Sequence, residues 1–559
     1  MTEAIDHTLR TGWTATGGAD AVLPRHALRW LRGRIGLAET GTPAAPDSPI
    51  PVAPSALPGP ARTALAAVVG ERNLLVDDED RLGRAGGLSY LDLMRRRGYG
   101  EPAVPDAVVL PADPEQVLHV LRVCAEHDIA VVPFGGGTSV VGGVTALRGG
   151  KPAVVALDLV RLDRLVTVDP VSRVAVFQAG VRAPDAERML AAHGLTLGHV
   201  PQSFERATLG GFAATRSAGQ ASSGYGRFED LVEGLRVATP VGEWWLGAAP
   251  ASAAGPDLRH LVLGSEGTFG VITELALRVR SAPTERRYEG FVLDGWERGL
   301  DAVRALAQHR HLADVTRLSD VDETEVNLAL VGGWKGAGLR GYLRARGVRR
   351  PCLLVLGWEA ADGRELAWRR AGTLHVLRRF RPVSFGVTAG EAWRRGRFAG
   401  PRQRDALLDA GVCVETLETA AHWNRLETLY HAVRAALTGA LTGRAADLPG
   451  NARPLVMCHV SHVYETGASL YFTVLVPRSV QDPLGQWQRA KEAACEAIAR
   501  HGGDGWSRPL GTITHHHAVG TDHRPWLARE IGELGVEVLA AVKRRLDPTG
   551  ILNPGKLVP

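Results

Sequence analysis

Cysteine is scarce: the 559 residues hold five, at Cys124, Cys352, Cys413, Cys458 and Cys495, odd in number, scattered and never spaced C-x-x-C. That pattern argues against a disulfide framework and a zinc ribbon, and a reducing cytoplasm is the expected home. Long apolar runs are missing, and the N-terminus carries Asp6 and no extended apolar core. Neither a membrane span nor a secretory signal is therefore expected, and membrane contact is limited to the periphery. Lysine occurs only at positions 151, 335, 491, 543 and 556, so arginine carries nearly all the positive charge of a chain whose net charge is +5. So mild an excess suits anionic ligands in general. With no basic block interleaved with aromatics, nucleic acid is not an expected partner.

What is present is globular composition, 45% hydrophobic and 22% charged, in a chain long enough for two or more domains. Its most telling stretch is Pro133-Phe134-Gly135-Gly136-Gly137-Thr138-Ser139, which follows the strand-like Ile129–Val132. Consecutive glycines free the backbone for conformations that side chains forbid, and successive N–H groups can then converge into an anion-binding nest. No Gly-Lys-Ser/Thr follows, as a P-loop needs, and the G-x-G-x-x-G spacing is not met. A pyrophosphate cradle and a plain glycine turn both fit these residues alone.

Residues 1–100 read as a helical and irregular region, with glycine-rich and proline-rich connections at Gly17-Gly18 and Thr42–Pro60 around a helix at Arg25–Leu37. From Pro105 short Val-rich strands alternate with helices: strands at Ala107–Leu110, Val154–Leu159 and Val174–Ala179, helices at Pro114–His127 and Pro184–His193. A further strand, Val271–Val279, closes this block. Residues 286–500 differ in texture, with helices expected at Glu365–Phe380 and Thr416–Thr438 and strands at Cys352–Leu356, Leu455–Tyr464 and Ser469–Val476.

Four segments in order resemble the FAD site of the flavoenzymes related to vanillyl-alcohol oxidase and p-cresol methylhydroxylase. They are the glycine loop, Pro201–Gly211, Ser223–Val232 and Gly264–Thr273. The resemblance implies an α+β fold: a two-part FAD-binding domain of the p-cresol methylhydroxylase type with an inserted α/β cap over the substrate. The divisions are then 1–100, an FAD-binding domain at 101–285, a cap at 286–500, and a segment at 501–559 that returns to the FAD domain. The cofactor implied is non-covalent FAD. Its expected contacts are the glycine loop (Pro133 to Ser139), Gln202, Ser203, Thr208, Thr215, Arg216, Ser217, Ala218, Glu266, Gly267, Thr268, Gly270, Val271 and Ile272.

His515-His516-His517 is the most unusual polar cluster. Metal ligation, completed by Asp522, His523, His459 or His462, acid/base chemistry and hydrogen-bonded packing are all open to imidazoles. Within the superfamily the resemblance narrows to the alkyldihydroxyacetonephosphate synthases. It rests on His515–Gly520, Cys458–Phe472, Arg317–Asp320 and Glu415–Ala420. It implies Arg404 as the essential, substrate-binding arginine, with Tyr471 and His516 in proton transfer beside His515 and His517, and no metal. A guanidinium offers a planar donor fork to an anion, and a phenol and an imidazole can pass a proton. The reaction implied replaces the acyl group of an acyl-dihydroxyacetone phosphate by a long-chain alkoxy group, through an adduct at flavin N5, in ether-lipid synthesis. Ala518 and the want of a peroxisomal address suggest a bacterial-type relative. A homodimer with a lipid substrate is expected. The other readings are an FAD-linked oxidase or dehydrogenase of a 2-hydroxy acid, with Arg404 on the carboxylate, and a non-catalytic flavin-binding protein.

Overall fold

The computed structural model describes residues 5, 7, 13, 23–38, 50–247, 249–442, 448, 451–502 and 509–558. Gly17, Gly18 and residues 42–49 of the first proline-rich connection lie outside the described residues. Three larger sheets organise the rest. The first has four strands in the order Leu74–Leu75, Ala107–Val109, Val154–Asp158, Ala130–Phe134, and the last three run parallel. Val154–Asp158 is buried along its whole length, as a parallel strand covered on both faces should be. The helix that connects two of these strands, Pro114–Glu126, starts where expected. Asp113 caps it by accepting the N–H of Gln116 at 2.7 Å, proline occupies its first turn, and Val117, Val120, Leu121 and Cys124 form its buried stripe.

The second sheet is antiparallel, in the order Leu165–Asp169, Val174–Gln178, Val271–Arg278, Val232–Thr239, Gly242–Leu246. It shares one hydrophobic core with the first sheet. The end of the chain joins that core: Leu552 bridges Val131 in parallel, and Ile551 and Leu552 are buried within it.

The third sheet has seven antiparallel strands: Val383–Phe385, Glu285–Asp294, Pro351–Ala360, Val315–Ser319, Leu455–Val460, Gly467–Pro477 and Val412–His422. Helices Trp296–Gln308, Trp423–Ala440 and Pro483–Ile498 pack into its core. Leu31, Ile35, Leu88, Tyr90 and Leu93, from the first hundred residues, belong to the same core.

Two expectations are corrected by the third sheet. The helix expected over Thr416–Thr438 begins only at Trp423, because Val412–His422 is a strand paired residue by residue with Gly467–Pro477. A long-range partner overrides the local helical pattern. The strand expected over Leu455–Tyr464 stops at Val460, and the chain turns through Ser461–Thr466 before re-entering the sheet. That turn aims His462 and Tyr464 at the histidine cluster.

Candidate active site

The four- and five-stranded sheets and the seven-stranded sheet meet around a cavity of about 1100 Å3. One wall is the glycine loop, which follows the strand Ala130–Phe134. A Cβ at Gly136 would fall 2.2 Å from the carbonyl oxygen of Arg206, and Gly137 has φ +62°. Both positions need glycine. Among the described residues, no protein group accepts the main-chain N–H of Gly136, Gly137, Thr138 or Ser139. A backbone too crowded for side chains but with N–H donors to spare is the cradle a pyrophosphate fits.

The neighbouring walls come from the other sequence-predicted segments. Gln202, Ser203 and Thr208 line the cavity, as do Thr215, Ser217, Ala218, Glu266, Gly267, Gly270, Val271 and Ile272. Thr208 also caps the helix Leu209–Thr215 by accepting the N–H of Gly211 at 3.2 Å. Glu266, pushed up to about 7 by burial, accepts the N–H groups of Val519 at 3.1 Å and Gly520 at 2.8 Å. It thereby ties the loop at 264–270 to the chain just past the three histidines. Asn553 reinforces the same corner by donating to the carbonyls of Gly143 at 3.0 Å and Glu266 at 2.6 Å.

Two expected cofactor contacts do not line the cavity. Arg216 has a left-handed backbone, φ +50°, at the end of its helix, and its guanidinium turns to the carbonyls of Leu263 and His260. Thr268 is buried, with its carbonyl held by Lys543 at 3.1 Å. Both hold the walls rather than face the space between them.

The same cavity is lined by Arg404, Tyr471, His516 and His517. Arg404 is buried on the helix Ala399–Asp409 and pairs with Glu415; it also donates to the carbonyls of Leu88 at 3.2 Å and Val414 at 3.3 Å. Its Nε is buried and has no hydrogen-bond partner among the described residues. The Tyr471 ring stacks at 4.8 Å on His459 and at 6.0 Å on His516, and meets His517 edge-on at 5.6 Å. Burial pushes the Tyr471 phenol up to about 12. His515 stands behind this front and is not part of the cavity wall. Its Nε2 lies 2.6 Å from the Tyr464 hydroxyl, its Nδ1 lies 2.9 Å from Nδ1 of His516, and its carbonyl accepts Arg227 at 2.8 Å.

Burial holds all three imidazoles below the usual histidine range, and the nearby Arg227 adds to this for His515 and His516. They are neutral near pH 7, able to accept a proton and to donate one. Ligating atoms of His462, His515 and His516 fall within 4.8 Å of one another. In the structure, however, both nitrogens of His515 are hydrogen-bonded, and Nδ1 of His462 lies 2.6 Å from the Ser222 hydroxyl.

One central residue escaped the sequence reading. Glu418, fully buried, accepts the backbone N–H of His515 at 2.6 Å, His516 at 3.2 Å and His517 at 3.0 Å, and the Thr514 hydroxyl at 2.7 Å. Its sequence signal was its place in Glu415–Ala420, one of the segments that carry the family resemblance, in a stretch expected to be helical.

From the polar front the cavity continues between apolar side chains: Leu28 and Leu31 of the N-terminal helix, Val326 and Leu330, Leu343 and Phe385. The helix Arg25–Ile35 therefore forms part of the cavity wall, and Ala27, Leu31 and Ile35 are buried. Val331 and Tyr342 line the cavity and are also exposed, which marks its mouth.

The model of an FAD binding domain matches residues 105–246, and that of the FAD linked oxidases, C-terminal domain, matches residues 282–557. An alkyldihydroxyacetonephosphate synthase of Trypanosoma brucei brucei is 31% identical over 507 residues, covering 89% of this chain and 80% of that protein. The chain belongs to the alkyldihydroxyacetonephosphate synthase family. It is an FAD-dependent enzyme of the α+β fold that its sequence led us to expect. The family's protein from Dictyostelium discoideum is 30% identical over 496 residues, 87% of this chain and 78% of its own length. A solved alkyldihydroxyacetonephosphate synthase superposes with a TM-score of 0.79 at 27% identity, over 95% of this chain and 92% of the other. p-Cresol methylhydroxylase, at 16% identity and a TM-score of 0.63 over 90% of this chain and 98% of its own, shares the fold.

Proposed function

We propose that the enzyme exchanges the acyl group of an acyl-dihydroxyacetone phosphate for a long-chain alkoxy group. One observation carries the reading: a single cavity joins a pyrophosphate cradle, a front of Arg404, Tyr471, His516 and His517, and an apolar branch with its mouth at Val331 and Tyr342. The cradle fits FAD, which when bound supplies an electron-accepting ring beside which a carboxylate can be replaced without net oxidation. The apolar branch holds the hydrocarbon chain of the ester or the alcohol. Arg404 supplies a positive charge at the cavity wall for the anionic head of the substrate, while Glu415 fixes its guanidinium. His516, neutral, takes the proton from the carbon that bears the acyl group and returns one to it once the alkoxy group is in place. Tyr471, protonated, donates toward the departing carboxylate and later assists deprotonation of the alcohol. Exposed Val331 and Tyr342 at the mouth support peripheral contact with a lipid surface. A 2-hydroxy acid would leave the apolar branch without a use.

The test is to incubate holoenzyme with an acyl-dihydroxyacetone phosphate and hexadecanol. Ether product and free fatty acid in equal amounts, with the flavin spectrum oxidised at the end, are expected. Flavin bleaching by a 2-hydroxy acid, with no ether formed from the ester, would replace this reading by a dehydrogenase.

A further inference from the structure

We infer that Glu418 is a positioning residue, which sets His516 and His517 against Tyr471 by gripping the backbone of residues 515–517. The inference rests on the acid/base roles proposed for those side chains. In the pairing of Val412–His422 with Gly467–Pro477, Glu418 is the direct Cα partner of Tyr471. Residues opposite one another in an antiparallel pair project from the same face of the sheet. Glu418 and Tyr471 therefore leave the sheet side by side. The Tyr471 ring lies against the His516 and His517 rings, while the Glu418 carboxylate collects the three N–H groups beneath them. One strand register thus fixes both halves of the proton-transfer pair.

The carboxylate is a poor candidate for the proton acceptor itself. It accepts four hydrogen bonds, from the N–H groups of residues 515–517 and the Thr514 hydroxyl, and these favour its charged form despite complete burial. A group so fully engaged stays charged and stays in place. It reaches the chemistry only through the main chain it holds, and through its charge beside His516 Nδ1 at 3.6 Å and His517 Nδ1 at 3.8 Å. Local propensity does not determine the shape of the turn at 515–517: the carboxylate that organises it comes from a strand about a hundred residues earlier.

The test begins with the wild-type, FAD-loaded enzyme and hydrogen exchange read by mass spectrometry on peptides spanning 511–527. The amides of residues 515–517 should be protected. In Glu418→Gln, which keeps the shape but turns an NH2 group toward the same donors, they should exchange at least about tenfold faster. With an acyl-dihydroxyacetone phosphate and hexadecanol as substrates, kcat should fall about a hundredfold with KM within about twofold. Glu418→Gln combined with His516→Ala should lose less than the product of the two single losses, because part of the Glu418 effect passes through the His516 imidazole. Unprotected amides in the wild type, protection unchanged in the variant, or losses that multiply in the double variant would each overturn the inference. If protection is lost as expected but the wild type forms no ether, the proposed function falls and the positioning role stands.

Discussion

Arg404 and Glu415 form a buried ion pair across the helix Ala399–Asp409 and the strand Val412–His422. Glu415 is held further by the N–H groups of Tyr90 and Thr416, so the guanidinium is fixed from behind. Among the described residues its Nε has no partner.

Arg404→Ala should therefore do two separable things. It leaves the Glu415 carboxylate buried and uncompensated, at a cost of about 3–5 kcal/mol in stability. It also removes the positive charge for the substrate anion, for a loss of roughly tens to hundreds of fold in kcat/KM. Adding Glu415→Gln should recover much of the urea midpoint and none of the turnover. A double variant with restored turnover would reduce Arg404 to a partner for Glu415.

The cradle makes a prediction about the cofactor. Gly136→Ala places a methyl 2.2 Å from the Arg206 carbonyl, so the loop must shift and FAD occupancy should drop sharply. No cysteine lines the cavity among the described residues, and the glycine loop contains neither cysteine nor histidine. Wild-type protein precipitated in acid should release intact FAD. Flavin that stays in the pellet would contradict the non-covalent assignment, and a fully yellow Gly136→Ala would contradict the placement.

His516→Ala and Tyr471→Phe should each keep FAD and lose turnover by about a hundredfold or more. Together they should lose less than the product of the two, since they act as a unit. Chelators should leave the wild type active. Stoichiometric metal, with activity lost on its removal and regained on its return, would reassign His462, His515 and His516 as ligands.

The buried histidines also shape stability against pH. His515, His516, His517 and His462 are held below their unfolded range, chiefly by burial, and His199 and His523 are lowered to about 3. Below about pH 6.5 the unfolded chain binds protons that the folded chain refuses, so stability falls as pH drops from there toward the lowered folded values. Each such histidine contributes about 1.4 kcal/mol per pH unit inside that window. Denaturation midpoints should be level from pH 8 to 7 and fall steeply by pH 5.5. A midpoint level down to pH 5 would mean that these imidazoles protonate freely in the folded state.

What was legible in the sequence was what neighbours decide. The glycine loop, the capped helix Pro114–Glu126 and the buried strand Val154–Asp158 carry their reasons within a few residues, and each stands close to where its pattern puts it. The strand Val412–His422 does not, because its pairing partner begins 55 residues further on, at Gly467. The same kind of distance in sequence hides Glu418, whose four donors are separated from it by two helices and a hairpin. Arg216 shows the converse error. It sits inside a segment whose neighbours line the cavity, yet its left-handed backbone turns its side chain outward.

The most direct test of the central claim follows the oxygen of the alcohol. Holoenzyme supplied with an acyl-dihydroxyacetone phosphate and hexadecanol labelled with oxygen-18 should give an ether that retains the label, and a released fatty acid free of it. Labelled fatty ester with no ether would show attack at the acyl carbonyl instead. That result would contradict replacement at the dihydroxyacetone carbon, and with it proton transfer by His516 and Tyr471 at that carbon.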